Sequence, residues 1–451
     1  MPKTHLDLGE GPILPLLLKM SWPSMAAMLS MAVYNLMDTL WLSRVSPHAI
    51  AAFTVTFPIQ MIMAAIGIGT GVGAGSFAAR MFGAQETDKA RETAGQVVFL
   101  SASSGLAMIL LVAAAGGDLL RLFGARGESL ALASTYLSVV VLGAPFLMFM
   151  MMSNNLLRAE GRPNLSMYAI LTFAVSGLIL DPLLIFGIGP FPRMGIVGAA
   201  CSAIVGQVSA CLLSAYFILQ RASRYALEPR HLIPKTDIIR SIYQTGFPSV
   251  LMNLIVSVVI MVYTMILSEF GHLALAALGI CFRINGLALM VIFGIGHGVM
   301  PLVGFNYGAR QYDRLKETIH VAVRISAVFA GVSSLAIVVF AVPILALFTD
   351  DTSLREIGVS ALRLYVALLV LVGPTVVWIN LFIGLGKGVA SMWLMLVRDL
   401  FFLVPALYLF KGLFGLTGVW MAQPFSTLLA FFLIRYWAER EMRTMTRERA
   451  P

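Results

Sequence analysis

Residues 50–79 read IAAFTVTFPIQMIMAAIGIGTGVGAGSFAA, thirty positions with no Asp, Glu, Lys or Arg, closed by Arg80. A bilayer-crossing helix needs about 20 predominantly apolar residues, and a transmembrane strand about 10 of alternating character. The run is far too long and continuous for a strand, so it reads as a membrane-spanning helix. Working outward, the pattern recurs. The 451 residues are 59% hydrophobic and 12% charged, with a mean hydropathy of +0.89. A soluble domain carries about 25% charged residues, so soluble and disordered classes are excluded. Twelve spans are expected near 13–42, 50–79, 92–116, 131–157, 164–188, 195–220, 237–268, 273–305, 317–348, 354–386, 388–410 and 415–437. The fold class is an all-α polytopic membrane protein.

The net charge is +9. Its cations sit in short loops rather than on one face, which marks topology and not nucleic-acid binding. With a cytoplasmic N-terminus, 21 Lys and Arg fall inside, from Lys3 to Arg449, and 6 fall outside. The positive-inside rule then places both termini in the cytoplasm, as an even number of spans requires. Cys201, Cys211 and Cys281 lie within apolar runs at no metal-ligand spacing, so they read as small buried hydrophobes. The first dozen residues lack the pattern of a cleaved leader. No cofactor, metal or membrane-embedded catalytic group is expected, because neither ligand clusters nor a nucleophile–base pair occur at one depth.

The two halves resemble each other at an offset near 225. Trp22-Pro23-Ser24 answers Phe247-Pro248-Ser249, and Asp88-Lys89-Ala90-Arg91-Glu92-Thr93 answers Asp313-Arg314-Leu315-Lys316-Glu317-Thr318. Gly67-Ile68-Gly69 answers Gly294-Ile295-Gly296 only after a two-residue slip. Six spans per repeat return the chain to its starting side, so the lobes have parallel topology. The expected division is an N-lobe at 1–220, a cytoplasmic linker at 221–236, a C-lobe at 237–437 and a basic tail at 438–451. Two such lobes around a cleft form a transporter architecture.

Ionisable residues inside a span cost about 3 kcal/mol each on insertion scales and call for a reason. Asp38 and Asp181 lie at a similar depth in the outer half, and Ser202 reaches the same level. Asn35 lies one turn below Asp38. Two carboxylates and a hydroxyl can take up a proton or a small cation such as Na⁺. Carboxylates held together resist joint ionisation, which favours the proton. The bland alternative is that each Asp caps a helix end, which Pro182 beside Asp181 makes plausible. In the second half Arg283, Arg398 and Asp399 lie near mid-membrane. They form either a neutralising pair, Arg283–Asp399 or Arg398–Asp399, or a substrate or gating site. Pro23 is either a hinge or a static kink. Met150, in the run Met150–Met152, and Tyr34 complete the candidates for substrate contact. The odd-numbered glycines from Gly67 to Gly75 suit close helix packing.

Tyr34-Asn35-Leu36-Met37-Asp38-Thr39, Leu157-Arg158-Ala159-Glu160-Gly161-Arg162-Pro163, Leu180-Asp181-Pro182, Phe282-Arg283-Ile284 and Gly304-Phe305-Asn306-Tyr307-Gly308-Ala309-Arg310 together resemble the multidrug and toxic compound extrusion (MATE) transporters of bacterial type. The resemblance spans nearly the whole chain. It implies a monomer in the bacterial inner membrane that exports small organic, often cationic or amphiphilic compounds in exchange for H⁺ or Na⁺. It also implies that Asp38 and Asp181 are the coupling carboxylates and Pro23 the bend of the first helix. Relatives often carry asparagine four residues before the second Asp, where this chain has Gly177. That departure, and the lack of an acidic residue in the seventh span between Asp237 at its very start and Glu269 at its outer end, favour protons. A lipid-linked saccharide flippase is the alternative, but it would be expected to line its cleft with more arginines than Arg283 and Arg398.

Overall fold

The computed structural model describes residues 5–447, so Lys3 and Arg449 lie outside the described residues. Every regular element among them is helical. The order is α1 (Ile13–Ser43), α2 (Pro47–Gly83), α3 (Thr87–Leu122), α4 (Gly127–Val140), α5 (Ala144–Ala159), α6 (Pro163–Phe186), α7 (Ile196–Leu219), α8 (Thr236–Ser268), α9 (His272–Gly308) and α10 (Tyr312–Val339). There follow α11 (Ala341–Ala346), α12 (Thr352–Val366), α13 (Leu369–Gly384), α14 (Gly388–Leu396), a π-helical segment Val397–Leu403, and α15 (Val404–Arg447). Helices dominate because hydrocarbon offers the backbone no hydrogen-bond partners, and a helix satisfies its own.

Ten of the described helical stretches are long and apolar enough to cross a membrane, and α12 with α13, bent by 45°, make an eleventh. The expected fourth span is α4 and α5 joined through Val141–Gly143. The last two expected spans run as one apolar stretch, Gly388–Met445. Its backbone leaves helical geometry at Gly415, with φ 60° and ψ −137°, where the twelfth span was expected to begin. Pro23, Pro182 and Pro248 all sit within helices that continue past them. Pro182 therefore does not end α6, which stops at Gly187 in the left-handed conformation.

Residue placement follows the solvent. On α10, Val328, Val332, Leu335 and Val339 are exposed at helical spacing, while Ser326, Ala330 and Ser334 are buried. Large apolar side chains face lipid, and small ones let helices approach. Ser334 Oγ donates to the Val366 carbonyl at 2.7 Å, which keeps a buried hydroxyl satisfied.

The chain divides into two compact units at positions other than the expected lobe boundaries. One comprises Met1–Asp7 and Ala26–Val250, the other Leu8–Met25 and Leu251–Pro451. One break precedes α1, and the other two fall inside helices, α1 and α8, 225 residues apart. The cause is a pair of glycine seams. In the first unit a β-carbon on Gly73 would lie 2.2 Å from the Ile242 carbonyl oxygen, and one on Gly69 2.4 Å from the Val250 side chain. In the second unit a β-carbon on Gly298 would lie 2.3 Å from Ser21 Oγ, and one on Gly294 2.4 Å from the Met25 side chain. Both seams obey the same offset of 225, so Gly69 answers Gly294 directly and the two-residue slip is unnecessary. The linker and the first half of α8 pack with the first unit. The start of α1 packs with the second.

Candidate functional site

In the first unit the outer ends of α1 and α6 place the two expected carboxylates. Asp38 lies five residues before the end of α1, and Asp181 five before the end of α6. At about 1.5 Å per residue these are equal depths. Both are buried, Asp181 completely. They lie within electrostatic reach of each other, and Ser202 of α7 sits beside Asp181. α6 and α7 are held antiparallel through a tight return, in which Met194 N–H donates to the Leu184 carbonyl at 3.0 Å and Gly195 N–H to that of Ile185 at 3.2 Å.

Neither Asp caps a helix. Both carboxylate oxygens of Asp181, Oδ1 of Asp38 and the Ser202 hydroxyl are buried without a well-formed hydrogen bond among the described residues, although Ser202 lies close enough to Asp181 to interact with it. A buried polar atom without a partner costs about 1–3 kcal/mol. Buried acceptors without strong partners, at one depth and within electrostatic reach of each other, suit a proton or cation that arrives and leaves.

The remaining candidates divide. Tyr34 is buried, packs edge-on to Phe173 with ring centroids 5.0 Å apart, and reaches both carboxylates electrostatically. Met150 joins the same apolar cluster with Tyr34, Phe173, Ala174 and Ala210. Asn35, one turn below Asp38, is exposed where Asp38 is buried. Pro23 falls in the second unit, apart from the carboxylates' own unit.

The aromatic ring explains the missing asparagine. A β-carbon on Gly177 would lie 2.3 Å from Tyr34 Cε2, so the ring occupies the room that a side chain at 177 would need. Tyr136, from α4, was not singled out in the sequence. It is buried beside Gln60, stacks edge-on to Phe53 at 5.9 Å and reaches both carboxylates electrostatically. A tyrosine within an apolar span was its only signal, because its hydroxyl needs a polar neighbour.

In the second unit, Asp399 takes Arg398 as its partner and not Arg283. Arg398 Nε donates to Asp399 Oδ1 at 2.7 Å and Nη2 to Oδ2 at 3.0 Å, a bidentate pair. Adjacent residues on a regular α-helix do not face one another. Here they open the wider π-helical turn, and Ser426 Oγ donates to the Arg398 carbonyl at 2.7 Å. Arg283 is exposed and has no ion-pair partner among the described residues. Tyr263, Phe282 and Tyr365 pack edge-on nearby, and Tyr263 Oη donates to Gln423 Oε1 at 3.1 Å. No group of three or more His, Cys, Asp or Glu among the described residues could hold a metal ion.

Comparison with known proteins places this geometry in context. The MatE family model matches residues 23–183 and again 248–409, two copies starting 225 residues apart. The chain is 28% identical over 430 residues to the multidrug export protein MepA of Staphylococcus aureus (strain N315), covering 94% of each protein. Its fold matches the outward-facing structure of a multidrug resistance MATE family transporter of the MOP superfamily, with a TM-score of 0.92, 28% identity and 98% of each chain covered. It also matches a MOP superfamily transporter from Pyrococcus furiosus, in which reverse polarity of the binding pocket suggests a different function, with a TM-score of 0.91, 28% identity and 99% of each chain covered. The paired family matches, each beginning at the helix proline of its half, establish that the chain belongs to the MatE family and is a multi-pass MATE transporter, not an enzyme.

Proposed function

We propose that this protein exports small amphiphilic organic compounds, cationic ones among them, in exchange for protons by alternating access. The observation that carries the reading is the buried pair Asp38 and Asp181 with its unaccepted oxygens. The likeness to a multidrug export protein supports the substrate class. The choice of ion rests on ligand supply. A bound Na⁺ must replace its hydration shell with several oxygens. With Asn35 exposed and no side chain at Gly177, the site offers little beyond two carboxylates and Ser202. A proton needs only one such oxygen. The roles fall as follows: Asp38 and Asp181 hold the proton, Ser202 orients Asp181, and Tyr34 with Met150 forms the apolar wall. The basic loops favour an inner-membrane orientation with both termini cytoplasmic. Saccharide-lipid flipping is disfavoured, because Asp399 neutralises Arg398 and leaves only Arg283 to hold a pyrophosphate.

The test is uptake of a fluorescent organic cation into everted vesicles. A pH gradient alone should drive it and a Na⁺ gradient alone should not. The reverse result would overturn proton coupling, and no uptake under either would overturn organic-cation export.

A further inference from the structure

The first unit carries a cavity of about 530 Å³ whose lining the transport reading leaves unused. Small-molecule sites span roughly 300–1,000 Å³. Val98 and Ala102 of α3, Phe146 and Phe149 of α5, and Cys211 and Ala215 of α7 form its walls. Leu227 and Leu232 of the loop after α7 roof it.

That roof is a built element. Gln96 Nε2 donates to the Ile233 carbonyl at 2.9 Å, and Lys235 N–H donates to Gln96 Oε1 at 3.1 Å. Gly95 lacks a side chain where the His231 carbonyl passes, since a β-carbon there would lie 2.0 Å from that oxygen. The loop is therefore fixed along α3, while its outer edge bares Leu232 at 43% and Ile233 at 62% exposure. Apolar side chains between Arg230 and Lys235 are the signature of a segment lying at headgroup depth. Around the cavity mouth Leu212, Tyr216 and Leu219 are also bare, continuing the lipid-facing surface.

The charge at the mouth selects the occupant. Glu228 lines the cavity but is neutralised by Arg230 at 2.7 Å, and Lys235 pairs with Glu92. Arg221 follows Leu219 by two residues, is exposed, and has no carboxylate partner among the described residues. The balance left over is positive, which repels an organic cation and suits a phosphodiester. We propose that this groove binds an anionic phospholipid of the leaflet that the basic loops mark as cytoplasmic. Its acyl chain lies between α3, α5 and α7, and its phosphate sits at Arg221. Filling the space beneath the roof would brace the loop that leads into α8.

The experiment is native mass spectrometry on the full chain in detergent, titrated with phosphatidylglycerol or with phosphatidylcholine of the same acyl chains. Phosphatidylglycerol should be retained about fivefold more strongly, the weight of one cation near an anionic headgroup. Arg221→Glu should abolish that preference. Ala215→Trp should lower retention of both lipids, and Ala102→Phe supplies a second filler from the opposite wall. Equal retention of the two lipids by the unsubstituted chain overturns the proposal. So does an unchanged preference in Arg221→Glu, a surface change that leaves the fold intact. Displacement of phosphatidylglycerol by a fluorescent organic cation would make the groove a transport subsite and overturn it as well. The readout is lipid retention, so it stands or falls separately from the choice of coupling ion.

Discussion

The ring of Tyr34 fills the space over Gly177, with only 2.3 Å between Cε2 and the point where a β-carbon on residue 177 would sit. An aromatic ring therefore packs where any side chain at 177 would begin, in the same unit as two buried acids. Gly177→Asn should force the ring aside and cost about 1–3 kcal/mol, the usual penalty of overpacking. Tyr34→Ala in the same chain should recover much of that loss. Thermal unfolding of the two single variants and the double variant measures the coupling. Additive effects would show that ring and glycine do not compete for space.

The carboxylate pair makes a separate prediction about energy. One charge moved through 100 mV is worth about 2.3 kcal/mol, or about 50-fold accumulation. Asp38→Asn and Asp181→Asn should each abolish gradient-driven accumulation while the protein still inserts and folds. Vesicle uptake and melting temperature on one preparation check it. Full transport by either variant would remove that residue from the coupling site.

Much of this site was legible in the sequence because depth is legible there. A residue's distance from a span end fixes its level in the bilayer, and that arithmetic brought Asp38, Asp181 and Ser202 to one height. Rotation about a helix is not fixed the same way. Asn35 lies one turn from Asp38 and is nonetheless exposed, while Tyr34 and Asp38 form the buried stripe of α1. Asp399 had two candidate partners in the sequence, Arg283 and Arg398, and the choice between them depends on a π-helical turn that no periodicity announces. The compact units divide the chain elsewhere than at its loops for another reason. Loops look like boundaries in sequence, but Gly73 and Gly298 pull the first halves of α8 and α1 onto the neighbouring helices, and the division falls within the spans.

Outside the spans, His5 offers a pH test. His5 Nε2 lies 2.6 Å from the Ala222 carbonyl, and Leu6 N–H donates to the Gly161 carbonyl at 3.0 Å. Burial, with Arg162 and Arg224 nearby, holds the His5 imidazole below its usual 6.5. A histidine whose docked value is depressed binds its proton more readily when released, so docking should weaken as pH falls below about 6.5. Glu160, 3.7 Å from His5 Nδ1, is pushed up by its own burial, and ionising it at higher pH opposes docking. Hydrogen exchange at the Leu6 amide, corrected for intrinsic rate, should therefore quicken between pH 7 and pH 5.5. His5→Gln should remove that acid limb, and Glu160→Gln should leave it in place.

The Arg398–Asp399 pair yields the sharpest contrast with Arg283. Asp399 is 8% exposed at its side chain and Arg398 22%, and two hydrogen bonds join them. Removing one member of a buried pair leaves the other charge uncompensated, at a cost of about 3–5 kcal/mol, whereas removing both is often nearly neutral. Asp399→Asn and Arg398→Gln should each lower the melting temperature markedly, and the double variant should recover it. Arg283→Gln should leave stability unchanged, because that guanidinium is exposed and pairs with no carboxylate among the described residues. If Arg283 instead contacts the transported compound, its neutralisation should alter which cations are exported at constant stability. The Arg398 and Asp399 variants should lose all substrates in proportion to folded protein. Measuring transport of two dissimilar cations, each normalised to the folded fraction, separates these outcomes. Recovery of Asp399→Asn stability by Arg283→Gln, rather than by Arg398→Gln, would show that the wrong arginine has been paired.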